Sequence, residues 1–146
     1  MDDRAAITAL VHEYAERLDA GDLDGVAALF ERAAWGSPGR GVPLRGAGEV
    51  RHGYDDVILY ADGTPATKHV ISNLTVDIDD PAGTATARCS FTVLQARPDF
   101  PLQPILAGRY HDRFARESGR WRFAERTILP DLFGDLSRHL RGAGRA

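Results

Sequence analysis

At Thr67 the hydrophobic period of this chain switches from that of a helix to that of a strand, and it does not switch back. Before that point apolar residues recur at helical spacing, as in Ile7, Leu10, Val11, Tyr14, Ala15 and Leu18. After it come long, β-branched, alternating runs: TKHVISNLTVDID, TATARCSFTVLQA, ILAGRYHDRFARE and RWRFAERTIL. Asp79-Asp80-Pro81-Ala82-Gly83 has the composition of a hairpin turn, and Ser118-Gly119 closes the third run. Helices first, followed by a meander of long antiparallel strands, imply an α+β domain with helices packed on one face of a curved sheet. The 146 residues suffice for one such domain with a hydrophobic core. No repeat or linker marks a second domain, so one domain is expected over 1–146, with about 137–146 a frayed tail.

Within the helical third, Asp3 is placed to cap a helix running to about Ala20. Asp22 is placed to cap a second, through Val26, Leu29 and Phe30. A Gly/Pro-rich loop, SPGRGVPLRGAG, follows from Ser37 to Gly48. A third helix is expected from about Glu49 to Tyr60, ending at Asp62-Gly63-Thr64-Pro65.

Composition removes several classes of function. The net charge is −3, with basic and acidic residues interleaved, which argues against nucleic acid as a partner. No long apolar run could span a membrane, and MDDRAAITAL lacks the basic and apolar regions of a signal peptide, so a cytoplasmic location is expected. The single cysteine, Cys89, excludes an internal disulfide and sits in an apolar row with Ala87, Phe91 and Val93. No H-x-H, H-E-x-x-H or carboxylate-rich loop suggests a metal site, and the glycine-rich loop has no phosphate-cradle spacing. Ser72 and Ser90 lack a nucleophile-elbow context.

One residue is out of place. Asp19 lies in the last turn of the first helix, where the macrodipole's negative end repels a carboxylate by about 0.3–1 kcal/mol. It sits roughly 40° beyond Ala15 around the helix, from where it can reach inward or outward. A histidine partner would explain it, and His69 is the candidate. Strict alternation, however, groups His69 with Ile71, Asn73, Thr75 and Asp77, the more polar row, opposite Val70, Leu74, Val76 and Ile78. Taken alone, that row favours a solvated histidine, unless the strand end is a pocket mouth, where the row can be polar and a bulge can shift register. Tyr14 falls inside the apolar stripe, as a core tyrosine or a pocket one. Arg126 alternates with Ala124 and Ile128, which an ion pair with Glu125's neighbours or with Asp112 would explain. His12 and His52 belong to polar helix faces, His139 to the tail, and His111 to a row that faces solvent, an interface or a pocket.

Three N-terminal helices, a Trp shortly after the second, a long hairpin, and a closing G-R-Y-x-D-x-F…G-x-W-x-F…R pair of strands resemble the nuclear-transport-factor-2-like superfamily, and within it the SnoaL-like branch. The resemblance runs from about Arg4 to Leu129. It implies a cone-shaped barrel of curved, mainly antiparallel sheet, closed by three helices around an apolar pocket. In the dehydratase and dehydrochlorinase members an Asp ending the first helix pairs with a His opening the first long strand, positions that Asp19 and His69 occupy here. Tyr14, five residues before Asp19, matches a Tyr of the bile-acid dehydratase type. Arg126 falls where a pocket Arg stands in the last strand, and Trp35 matches a pocket Trp. The Asp-Arg-Asp set of the epoxide hydrolases and the strand carboxylate base of ketosteroid isomerase have no counterpart.

What this resemblance implies is a cofactor-independent lyase, dehydratase-like, acting on a small apolar oxygenated molecule. His69 is the base, Asp19 its orienter, and Tyr14 and Arg126 stabilise charge. Trp35, Phe30, Tyr54 and Phe91 are expected to line the pocket. The alternatives are a polyketide-type cyclase or isomerase, and a non-catalytic binding or assembly subunit like the dioxygenase small subunits. Neither a metal nor a cofactor is expected, and a homo-oligomer, dimer or trimer, is.

Overall fold

The computed structural model describes residues 2–143. Helix α1 (Asp3–Asp19) starts at the residue expected to cap it, because it is the Asp2 carboxylate, one residue earlier, that accepts the Ala5 amide. Its inward stripe is Ile7, Val11, Tyr14, Ala15 and Leu18. At its end the Gly21 amide donates to the Leu18 carbonyl and the Asp22 amide to that of Arg17, a Schellman stop. Gly21 takes φ +78°, and any side chain there would collide with the Gly63 carbonyl. That close approach seats the loop preceding the sheet against the end of α1. Asp22 then caps α2 (Leu23–Ala28) by accepting the Gly25 amide.

Two short strands absent from the expectation follow, β1 (Ala34–Gly36) and β2 (Leu44–Arg45). Helix α3 (Gly46–His52) is earlier and shorter than the expected Glu49–Tyr60. Past Gly53 the chain serves the core residue by residue instead: Tyr54 and Val57 are buried, and Val57 pairs with Leu140 from the far end of the chain.

The four long strands are β3 (Thr67–Asp79), β4 (Thr84–Arg97), β5 (Phe100–Glu117) and β6 (Arg120–Phe133). All four run antiparallel, β1 joins β6 in parallel, and the sheet order is β2-β1-β6-β5-β4-β3. The sheet is curved and unclosed, with β2 and β3 at its edges. Its concave face receives the helices. Along β4 that face is Ala85, Ala87, Cys89, Phe91, Val93 and Gln95, all buried, and burial pushes the Cys89 thiol up to about 11. Gly108 lets Phe91 lie directly on the β5 backbone, where a Cβ would strike the Phe91 ring.

A bulge in β3 sets the site. Ser72 pairs with Ser90 and Thr75 with Arg88, so Asn73 and Leu74 together oppose Cys89 alone. Asn73 has φ +56°, a left-handed conformation that asparagine tolerates better than most residues. The extra residue reverses parity. After it Val76 and Ile78 pair with Ala87 and Ala85 on the concave face; before it His69 and Ile71 pair with Val93 and Phe91 on that same face. Uninterrupted alternation would have turned His69 outward, and the bulge turns it in.

The end of the chain is no frayed tail through residue 143. Gln95, 1% exposed, donates from Nε2 to the Pro65 and Arg138 carbonyls, each at 3.0 Å. The Ile58 amide donates to the His139 carbonyl and the Arg141 amide to that of Asp56. Leu136 and Leu140 pack on the core. The segment docks because a buried glutamine on β4 needs acceptors and the α3–β3 connection needs a pairing partner. Residues 144–146, also expected in the tail, lie outside the described residues. No helix among the described residues is long and apolar enough to cross a membrane.

Candidate active site

Between the helices and the concave sheet lies a cavity of about 380 Å³. Its walls are mainly apolar, with Leu18, Trp35, Phe91, Val93, Leu106 and Ile128 among them. Its polar groups are two imidazoles, His69 and His139, and three phenols, Tyr14, Tyr54 and Tyr110, with Ser37 and Arg40 contributed by the β1–β2 loop. A mostly apolar enclosure with few convergent polar groups is the usual form of a small-molecule site.

Asp19 and His69 meet there. Asp19 Oδ1 accepts His69 Nδ1 at 2.6 Å and the Thr67 hydroxyl at 2.9 Å, while Oδ2 accepts the His69 amide at 2.7 Å. These bonds from the start of β3 supply what the helix end withholds: donors for a carboxylate facing the negative end of a dipole. A carboxylate only accepts, so the proton lies on Nδ1 and Nε2 carries a lone pair. The His69 side chain is 4% exposed, and Nε2 has no protein partner among the described residues. The arrangement is an imidazole base held in one tautomer and one orientation.

The phenols form a second group. The Tyr14 and Tyr54 hydroxyls are hydrogen-bonded to each other, which leaves one of the two O–H groups to donate elsewhere. Tyr14 packs edge-on against Tyr110, and Tyr110 stacks on Phe91 at 4.3 Å. Burial, reinforced by Tyr14, drives the Tyr54 and Tyr110 hydroxyls well above the usual phenol range, so both stay protonated.

Arg126 does not reach the cavity, contrary to expectation. It is 0% exposed and forks onto Asp112, Nε to Oδ1 and Nη2 to Oδ2, each at 2.8 Å. The two residues are direct partners across β5 and β6. The rings of Tyr110 and Tyr14 cover the guanidinium at 3.8 and 4.2 Å and separate it from the cavity. Burial alone would lower its basicity; Asp112 more than offsets that and holds the charge. Arg126 thus lies under the site, polarising the phenols from below.

Trp35, Tyr54 and Phe91 line the cavity, whereas Phe30 does not: it stacks on Phe123 at 4.9 Å within the core. The α2 periodicity marks Phe30 as buried but cannot tell core from cavity wall. His52 pairs with Asp55 on the surface, and His111 lies on the exposed face of β5. Three residues escaped the sequence reading. Tyr110 was legible, since it shares the row Leu106, Gly108, Asp112 and Phe114. Gln95 continues the buried row of β4. His139 carried no local signal, because only the docking of the chain end brings it inside.

The chain matches the SnoaL-like domain over residues 1–127. No curated protein matches it. Among solved structures, a scytalone dehydratase-like protein from Novosphingobium aromaticivorans superposes with a TM-score of 0.73 at 24% identity, covering 99% of this chain and 95% of that one. ActVI-ORFA from Streptomyces coelicolor gives 0.73 at 18% identity, covering 88% and 96%. The beta subunit of an aromatic-ring-hydroxylating dioxygenase-like protein from N. aromaticivorans gives 0.69 at 20% identity, covering 89% and 90%. At such identities the likeness is one of fold, and these three proteins share it under very different descriptions. With three helices on an open curved sheet and the match over residues 1–127, the chain belongs to the SnoaL-like domain family.

Proposed function

We propose that this protein is a cofactor-independent lyase that dehydrates a small, largely apolar β-hydroxy carbonyl compound, with His69 as base. The observation carrying this reading is the 2.6 Å Asp19–His69 bond at the wall of the apolar cavity, with Nε2 left unpartnered. His69 Nε2 removes the C–H proton between carbonyl and hydroxyl-bearing carbons, and the electron pair becomes the enolate π bond. The free O–H of the Tyr14–Tyr54 pair donates to the carbonyl oxygen as charge develops there. Collapse of the enolate breaks the C–O bond, and the imidazolium returns its proton to the departing hydroxide, giving water and restoring the base. Asp19 stabilises the imidazolium in between.

The same base could serve an aldol cyclisation or an isomerisation, because all three begin with that proton. Turnover of 3-hydroxy-1-tetralone to 1-naphthol and water, followed by naphthol absorbance, tests the dehydration directly. His69→Ala is expected to lower kcat by about 10²–10⁴-fold with the fold intact by circular dichroism. Unchanged turnover in that variant would remove His69 from the mechanism.

A further inference from the structure

His139 lines the same cavity as His69 and is 7% exposed, yet neither of its ring nitrogens has a hydrogen-bond partner among the described residues. Burying an imidazole without partners is costly, and a chain end that merely needed to pack would place an aliphatic residue there. The surroundings instead hold the ring in position. The His139 carbonyl accepts the Ile58 amide at 2.9 Å, the neighbouring Arg138 carbonyl accepts Gln95 Nε2 at 3.0 Å, and Leu136 and Leu140 anchor either side.

The two nitrogens are not equivalent. Nδ1 is sealed against protein. A proton there would be an orphaned buried donor, which folded proteins avoid, so the proton belongs on Nε2. Burial, with His69 nearby and Asp19 opposing, pulls the ring's basicity down to about 4, so the imidazole stays neutral at physiological pH. A neutral ring of that kind neither gives nor takes a proton during turnover. It donates a hydrogen bond.

We propose that His139 is a ligand-binding residue whose Nε2–H donates to an oxygen of the bound molecule, beside the carbon whose proton His69 takes. The inference rests on the cavity being the site of a small oxygenated ligand, and it deepens that reading. The polar end of the cavity then offers one acceptor, His69 Nε2, and donors from His139 and the phenol pair. That complement selects acceptor-bearing molecules, ketones and hydroxy ketones, over hydrocarbons of the same shape.

The test compares binding of 1-tetralone, a ketone without a leaving group, with that of tetralin, its hydrocarbon counterpart, by calorimetry on the full chain. The ketone is expected to bind the native protein roughly tenfold tighter. His139→Leu should reduce that preference severalfold, leaving only what the phenol pair supplies, and His139→Gln, which keeps a donor, should restore part of it. His139→Leu should also melt no lower than the native protein, since it removes an unpaired buried ring; a residue kept only for packing would lose stability. In ¹⁵N-labelled native protein, 1-tetralone should shift the His139 Nε2–H resonance and tetralin should not, a readout independent of any variant's folding. A ketone preference that His139→Leu leaves unchanged, or a resonance that does not move, overturns the assignment and leaves the cavity reading standing. Failure of both molecules to bind overturns the two together.

Discussion

Two pairs of a carboxylate and a basic side chain lie inside this fold, and they are built in opposite ways. Arg126 and Asp112 face each other across β5 and β6, joined by two 2.8 Å bonds, with both side chains wholly buried. Asp19 and His69 join a helix end to an edge strand, and the Asp19 side chain keeps 21% exposure. The first pair is nearly closed, its stacked aromatic rings leaving no approach. The second turns an unpaired ring nitrogen toward a cavity. The guanidinium is neutralised through two carboxylate bonds, with only Nη1 lacking a partner, which marks a structural role, whereas a buried ring nitrogen whose unshared pair faces a cavity marks a chemical one.

Breaking the closed pair should have the largest effect. Asp112→Ala strands a buried guanidinium and is expected to cost about 3–5 kcal/mol in denaturant unfolding. A loss below 1 kcal/mol would mean that the aromatic rings alone can carry the charge. The open end should respond to pH through His139, while Arg126 remains charged throughout. Unfolded His139 takes up its proton near 6.5 and folded His139 near 4. The folded state is therefore fully favoured above 6.5 and loses up to about 3 kcal/mol as pH falls from 6.5 to 4. His69 and Asp19 face the same ring, so the measurement is the difference between the native protein and His139→Leu. Identical pH profiles would show that the ring is hydrated in the folded state. The smallest effect should come from the device that turns His69 inward. Asn73→Val forces a β-branched residue into a left-handed conformation, at a cost of about 1–2 kcal/mol. Its more informative consequence is a drop in turnover out of proportion to that cost, as the register of His69 slips. Turnover that tracks stability alone would show that the inward turn of His69 does not depend on Asn73.

Much of this was legible in the chain. The helical stripe of α1, the Gly21-Asp22 stop and the four long strands follow from local periodicity and capping chemistry, which are decided within a few residues. Asp19 was legible as an anomaly because a helix end has a known preference that it violates. His69 was not assignable from its row, because a bulge changes parity without changing composition; Asn73 is its only local trace. Arg126 was legible as buried and paired, but not as lying beneath the phenols instead of beside the ligand.

By itself, then, the sequence determined the order of elements, the face each long strand keeps between irregularities, and the anomaly of an acid at a helix end. Those are properties of local sterics, hydrogen-bonding capacity and period. The tertiary structure alone decided which of the buried groups meet the cavity. Phe30, Arg126 and His139 are all inside, and only His139, from the end of the chain, lines it. That outcome depends on contacts between residues 30 to 80 positions apart, such as Gln95 with Arg138 and Tyr60 with Arg138. Such contacts form only when the whole sheet has curved, and no local pattern encodes them.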